Sequence, residues 1–480
     1  MMDETELQHR LTRLAERTAP PPRESLAEVV VARHRSQGRQ VAGITALVAA
    51  VAAVVVAVPS LTGGPAQPTA ATSADGLPAP VDDWAGGLLT TPTRGSLAAD
   101  TAFVEGVRQL SWQNPMAGPH DDDPDAPLDT RVVVYAGDVA GARFALVAGE
   151  NTAQVDDDPA LQTDAGVLSD VAIAWYLGPA GAAAGDMTLQ SVPRGVDSYG
   201  GPAGFFDGAT GALVVVGEPG DAMTVSPRPV VAADGSVVRE QVPVEAPDGI
   251  GTAVFPAGSV SGTSLRYTVV RGTESWTSSP SWTGSDSSAP QVPVTWLRPA
   301  PAPGPVDSLA EWEPQQLLER LGLLAEEVQF SMVWAGDVPS PVERTSRVSL
   351  LAATLPSGAV YLQCSLGLDL GNGSAGGTWC GSGIRPAGTP LAEQTVVVRS
   401  DATDMSRNSD VVSSLIVVAP PTAVAARAVD LDGAVLAGFP LVDGVAVVPF
   451  PERAATVETL AADGTVLEST RPLTMADLGD

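Results

Sequence analysis

The 480-residue chain contains no lysine, only two cysteines and only three histidines. All 26 basic residues are arginine, a matter of composition that carries no mechanism. Cys364 and Cys380 are too few and too widely spaced for a zinc site or a Cys-x-x-Cys redox pair. His9 and His34 fall in the first 40 residues, so any histidine chemistry beyond them must use His120. A Ser-His-Asp triad would depend on that one residue, and no Gly-x-Ser-x-Gly elbow accompanies it. Phosphate-loop, dinucleotide and haem motifs are missing as well. These absences leave no catalytic, cofactor-binding or metal-ligating residue to assign. Nucleic acid is excluded as a partner by charge. Residues 1–40 hold seven Arg and six acids, a balance of +1, whereas the remainder holds 19 Arg and 50 acids, a balance of −31. A surface so acidic repels phosphate backbones.

One long uncharged run is present. Residues 41–61 are mostly Ala and Val, and a bilayer core needs about 20 apolar residues as helix. Arg33, Arg35 and Arg39 precede the run, which places the N-terminus in the cytoplasm. A cleavable signal peptide is the rival reading. The polar leader of 40 residues exceeds a signal n-region and no convincing Ala-x-Ala site follows, so a retained anchor in the cell membrane is expected. Residues 1–40 are then a cytoplasmic tail in which Leu7, Leu11 and Leu14 recur at i, i+4 and i+7. That stripe is either a docking surface for a cytosolic partner or the face of a nascent helix in a solvated tail.

Beyond the anchor the chain reads as one unit written twice. Tyr135-Ala-Gly-Asp-Val recurs as Trp334-Ala-Gly-Asp-Val, and Ser96-Leu-Ala as Ser308-Leu-Ala. Arg143-Phe-Ala-Leu-Val recurs as Arg347-Val-Ser-Leu-Leu, and Leu213-Val-Val-Val as Leu415-Ile-Val-Val. Asp248-Gly249 before Phe255-Pro256 matches Asp443-Gly444 before Phe450-Pro451. Order is kept while spacing drifts, as when strands persist and loops take insertions. The resulting division is a spacer at 62–92, repeat 1 at 93–272, a linker at 273–306 and repeat 2 at 307–480.

Each repeat is expected to open with a helix, near 95–111 and 307–327, where Leu317, Leu318, Leu321 and Leu324 supply a buried face. Strands follow at 131–136, 143–148 and 171–177, and at 329–334, 347–354 and 358–366. The second half of each repeat is short strands parted by Asp-Gly turns, which indicates a small antiparallel sandwich. The fold class is therefore α+β, mostly β: a single transmembrane helix, then two repeats, each a helix on an antiparallel sheet plus a small β-sandwich. Trp276, Trp282 and Trp296 are unusual for a free linker and suggest that it packs along a domain surface.

Cys364 and Cys380 lie beyond the anchor, where an oxidising compartment favours a disulfide. Closing a loop with 15 intervening residues stabilises by about 3 kcal/mol. Asp121, Asp122, Asp123, Asp125 and Asp129 beside His120 could be taken for a cation loop. The EF-hand pattern fails there, since Ala126 stands where glycine is required and Val132 where the bidentate acid is. From Ala98 to Asp138 is 40 positions and from Ala310 to Asp337 is 27, so the cluster lies in an insertion and reads as a solvated acidic loop. Asp138 and Asp337 are the acids in matched context, and Gly-Asp at a strand end reads most simply as a turn.

Residues 92–100, Arg131 to Val139 and Arg143 to Val147, behind an inner segment with arginines before an Ala/Val span, resemble a group of uncharacterised single-pass membrane proteins of high-GC actinobacteria. Such proteins accompany extracytoplasmic-function sigma factors, so the resemblance implies a signalling role and a cytosolic partner such as a sigma factor. It assigns no catalytic residue. The zinc-type anti-sigma signature is absent, because residues 1–40 contain no cysteine. The expectation is a non-enzymatic binding or sensor protein with an unidentified extracytoplasmic ligand. An extracytoplasmic hydrolase and a structural envelope protein are the alternatives.

Overall fold

The structure, a computed structural model, describes residues 87–113, 125–151, 168–191, 193–197, 202–283, 292–302, 307–341, 345–371, 374–403, 411–476 and 478. The tail, the apolar run at 41–61 and most of the spacer lie outside them. Among the described residues no helix is long and apolar enough to cross a membrane.

From residue 87 to 283 the chain builds four layers. Helix α1 (Thr101–Arg108) starts where the Asp100 carboxylate accepts a hydrogen bond from the Phe103 amide at 3.0 Å, a side-chain N-cap. Its buried residues Phe103 and Val107 pack with Trp112 on Val133, Ala145, Val147, Ala174 and Tyr176. Those belong to a helix-side sheet of Val132–Val139, Ala142–Glu150 and Leu168–Pro179, all antiparallel. The opposite face of this sheet, with Phe144 and Trp175, meets a middle sheet containing Ala203–Asp207, Ala212–Val216 and Ile250–Val254. Ring centroids of Trp175 and Phe205 stand 5.4 Å apart across that interface. The far face of the middle sheet, with Phe206, Leu213 and Val215, packs on Val225, Tyr267 and Val269 of an outer sheet. Middle strands are thus covered on both sides, which is why 212–216 reads as an unbroken apolar run rather than an alternating one.

Residues 292–478 also place a helix on stacked sheets. Helix α2 (Asp307–Leu321) lays Leu317, Leu318 and Leu321 on Phe330, Met332, Leu351 and Tyr361. These belong to a helix-side sheet of Gln329–Val338, Ser346–Thr354, Val360–Gly371 and Ser374–Arg385. Its other face contacts Val396, Val398, Ile416 and Val418 of a middle sheet. The far side of that sheet packs Val397, Leu415 and Val417 on Ala426, Ala428 and Val457 of an outer sheet. In both regions, therefore, the sandwich expected as a separate appendage shares its inner sheet with the helix-bearing layer.

Particular details agree between the two regions. A bulge follows Val133 in one helix-side sheet and Met332 in the other. Asp138 is the ladder partner of Arg143, and Asp337 of Arg347. Asp248 and Asp443 both adopt positive φ, 54° and 51°, each followed by a positive-φ glycine. The 443–444 pair forms a two-residue turn closed by reciprocal Val442 and Val445 hydrogen bonds, the type I′ geometry that Asp-Gly favours. The Arg94 guanidinium donates to the Gly217 and Asp248 carbonyls at 2.7 and 2.8 Å. The Arg298 guanidinium donates likewise to Ala419, at 2.7 Å, and to Asp443.

Much of the segment read as a linker lies within the sheets. Glu274–Ser278 pairs with Arg266–Arg271, Ser281–Thr283 runs parallel to Ala203–Asp207, and Val294–Trp296 runs parallel to Gln329–Val338. Trp276 and Trp282 pack on the core between middle and outer sheets, while Trp296 is exposed. The first region also carries a hairpin, Pro229–Val231 with Val237–Arg239, that has no counterpart among the described residues of the second. It reaches across: Val231 and Val237 join the α2 core, and Arg239 Nε donates to the Leu478 carbonyl at 3.1 Å. Beside it, Arg228 donates to the Gly322 carbonyl at 3.0 Å.

Candidate functional site

The two regions differ most under their helices. In the first, Ala145, Ala174 and Tyr176 face α1, and the Tyr176 hydroxyl donates to the Ser111 carbonyl at 2.9 Å. Ladder pairing sets Ala145 opposite Tyr176 and Val147 opposite Ala174. The corresponding rungs of the second sheet pair Ser349 with Ser365 and Leu351 with Gln363. An apolar floor has become polar. Above it, α2 contributes Glu313, four residues before Leu317 on the same helical face, where a leucine would continue the stripe. Pro314 follows and has no amide to give the carbonyl of residue 310, so the helix runs on past the acid with one backbone hydrogen bond fewer.

Glu313 is 4% exposed. Its Oε1 accepts a hydrogen bond from Ser349 Oγ, while Oε2 is buried without a hydrogen-bond partner. Burial pushes this carboxyl up to about 7, against the opposing pull of the Ser349 hydroxyl that donates to it. Gln363 Nε2, Ser365 Oγ and the Tyr361 hydroxyl, all on the helix-facing side of Val360–Gly371, are likewise buried without partners. Buried polar atoms are almost always paired, because leaving one unpaired costs about 1–3 kcal/mol. Several on one strand face mark a place where packing has not been optimised for stability.

This patch opens on a cleft of about 920 Å³ between α2 and the hairpin of Val360–Gly371 with Ser374–Arg385. Glu313 and Ser365 lie in its wall, Trp312 and Trp379 on its rim, and Gln316 and Thr378 beside them. Gly367 and Gly377 are ladder partners and keep side chains off the floor. Trp312 is 58% exposed and Trp379 45%. The Arg320 guanidinium lies over the Trp379 ring, 4.7 Å from its centroid, and restrains it. In the first region Trp112, Met187 and Ala182 occupy the space around Tyr176.

Residues singled out from sequence fall elsewhere. Cys364 and Cys380 are disulfide-bonded, with Cα atoms 5.0 Å apart. Cys364 pairs with Gly381 and Ser365 with Trp379, so Cys380 is the extra residue of a β-bulge. Asp138 and Asp337 are not turn caps but strand residues in cross-strand ion pairs. Arg143 grips Asp138 through Nε and Nη2 at 2.7 and 2.8 Å and holds its carboxyl below the usual range, and Arg347 Nε meets Asp337 at 2.8 Å. The Aro-Ala-Gly-Asp motif is packing: the Tyr135 ring covers Gly137 and the Trp334 ring covers Gly336, where any Cβ would collide. Asp125 pairs with Arg131 at 2.9 Å. His120, Asp121, Asp122 and Asp123 lie outside the described residues, as do Leu7, Leu11 and Leu14. Among the described residues no three His, Cys, Asp or Glu side chains cluster to hold a metal ion. Sequence reasoning passed over Glu313, although an acid on the apolar face of a helix was a readable signal. No protein-family model matches the chain, and no characterised protein matches it at significant similarity.

Proposed function

We propose that this chain is a single-pass, membrane-anchored binding protein whose outer part is a tandem pair of one four-layer unit, with its ligand cleft in the second copy. The carrying observation is the exchange of Ala145, Ala174 and Tyr176 for Ser349, Gln363 and Ser365 beneath a buried Glu313 that opens on a cleft. A concave site with a few convergent polar groups and a perturbed carboxyl is the ordinary form of a ligand site. The described groups favour binding over hydrolysis. Among the described residues one carboxyl lines the cleft where glycoside hydrolysis uses two, and Ser349, the hydroxyl on Glu313, is buried beneath the acid and does not line the cleft.

The run at 41–61 supplies the anchor in this reading, with residues 62–480 outside the cell and residues 1–40 inside, offering Leu7, Leu11 and Leu14 to a cytosolic regulator such as a sigma factor. Protease added to intact spheroplasts carrying the full chain should remove the outer part and leave the tail. Protection of the Cys380 region would overturn the topology. Capture of a sigma factor by the full chain, lost on Leu11→Asp, would support signalling, because that charge interrupts the stripe. Capture unaffected by the substitution would remove the tail from the account.

A further inference from the structure

We infer that the cleft beneath α2 takes a saccharide, stacking sugar rings on Trp312 and Trp379 and hydrogen-bonding their hydroxyls through Gln316 and Thr378. This rests on the reading of the cleft as a ligand site and adds the chemical class. Two tryptophans exposed on one concavity are costly in water and suit a ligand with a flat apolar face. The volume, about 920 Å³, lies at the upper end for small-molecule sites and accommodates more than one sugar ring.

Other ligand classes meet specific obstacles. An apolar molecule would cover the exposed Gln316 amide and Thr378 hydroxyl of the lining without pairing them. An anion meets Glu313 in a chain of net charge −30. A cation seeking the Trp379 face meets the Arg320 guanidinium already stacked there. A neutral ring carrying hydroxyls along its edges brings no charge against Arg320 or Glu313 and stacks on Trp312 and on the Trp379 face that the guanidinium leaves uncovered. Its hydroxyls both donate and accept, so they can pair with the Gln316 amide and the Thr378 hydroxyl together. Gly367 and Gly377 let a ring settle close to the strands.

The test uses the full chain in detergent micelles and saturation-transfer NMR against three probe sets: neutral hexose, pentose and N-acetylhexosamine oligomers; choline and tetramethylammonium; and short uncharged peptides. The expected result is saturation of C–H protons on one sugar face, with affinity at least about tenfold weaker in Trp379→Ala and in Trp312→Ala. Both residues are exposed, so both variants should fold, and an intact disulfide with unchanged circular dichroism checks this. Saccharide binding unchanged in both variants would overturn the site. Binding of an amine or peptide that the variants abolish would overturn the saccharide class while leaving the cleft as a ligand site. Silence from every probe would overturn both.

Discussion

Under α1, Ala145 and Ala174 close against Phe103 and Val107, and the Tyr176 hydroxyl is satisfied by the Ser111 carbonyl, while the buried Trp112 Nε1 has no hydrogen-bond partner. Under α2, the matching strand positions carry Ser349 and Gln363, and a carboxyl replaces a stripe residue. Four features of the two regions are alike: the bulge, the Asp–Arg rung, the arginine seated on two carbonyls and the Asp-Gly turn. Shared features hold layers together. The features that differ store unpaired polarity, and stability is commonly sacrificed where a site binds something. The comparison separates scaffold from site within one chain.

If the scaffold is shared, matched substitutions should cost the same in both regions. The largest effect belongs to the middle sheets. Val214→Asp and Ile416→Asp each bury an unpaired charge between two layers and should cost about 4 kcal/mol or more. Limited proteolysis mapped by mass spectrometry should show the affected region opening in each case. Tolerance at one site and collapse at the other would break the equivalence. The disulfide sharpens the contrast instead, because only the second region has one. Replacing Cys364 and Cys380 together by serine should lower its unfolding free energy by about 3 kcal/mol and leave the first region's protease resistance unchanged.

Arg94→Ala and Arg298→Ala should each cost about 2 kcal/mol, since each removes charged hydrogen bonds to two carbonyls that join the helix-side and middle sheets. Hydrogen exchange at Gly217 and Ala419 would report the loosening residue by residue. Smallest are Asp138→Asn and Asp337→Asn. Both acids are partly exposed, so the ion pairs contribute less than about 1 kcal/mol. A large loss of binding in either variant would show that the repeated acid has a role beyond packing.

Much of the scaffold was legible in the sequence. Strand positions, the Asp-Gly turns and the disulfide partners follow from local patterns of β-branching, turn chemistry and cysteine count. Layering was not legible. The run 212–216 shows burial on both faces, but sequence does not say which sheets cover it. The segment 273–306 read as a linker because Pro and Ser dominate it, yet Ser281–Thr283 and Val294–Trp296 enter sheets through parallel pairing that no local pattern encodes. The site was hidden for a related reason. Glu313 is far in the chain from Ser365 and Trp379, which are ladder partners in one hairpin, and meets them only when α2 crosses it, while the repeated motifs drew attention to what the regions share.

The most direct test of this contrast is the ionisation of Glu313. Its folded pKa, near 7, lies above an ordinary carboxyl value, so the folded state holds the proton more tightly than the unfolded one. Stabilisation is then full below the ordinary carboxyl range and is lost as pH rises through about 7, with a swing on the order of 3 kcal/mol. Infrared difference titration of the full chain against Glu313→Gln isolates this carboxyl. The account gives a protonated-carboxyl band that persists through mildly acidic pH and disappears near 7. A band lost at the ordinary carboxyl range would show that Glu313 is solvated and ion-like, and the polar site beneath α2 would not exist in the form described.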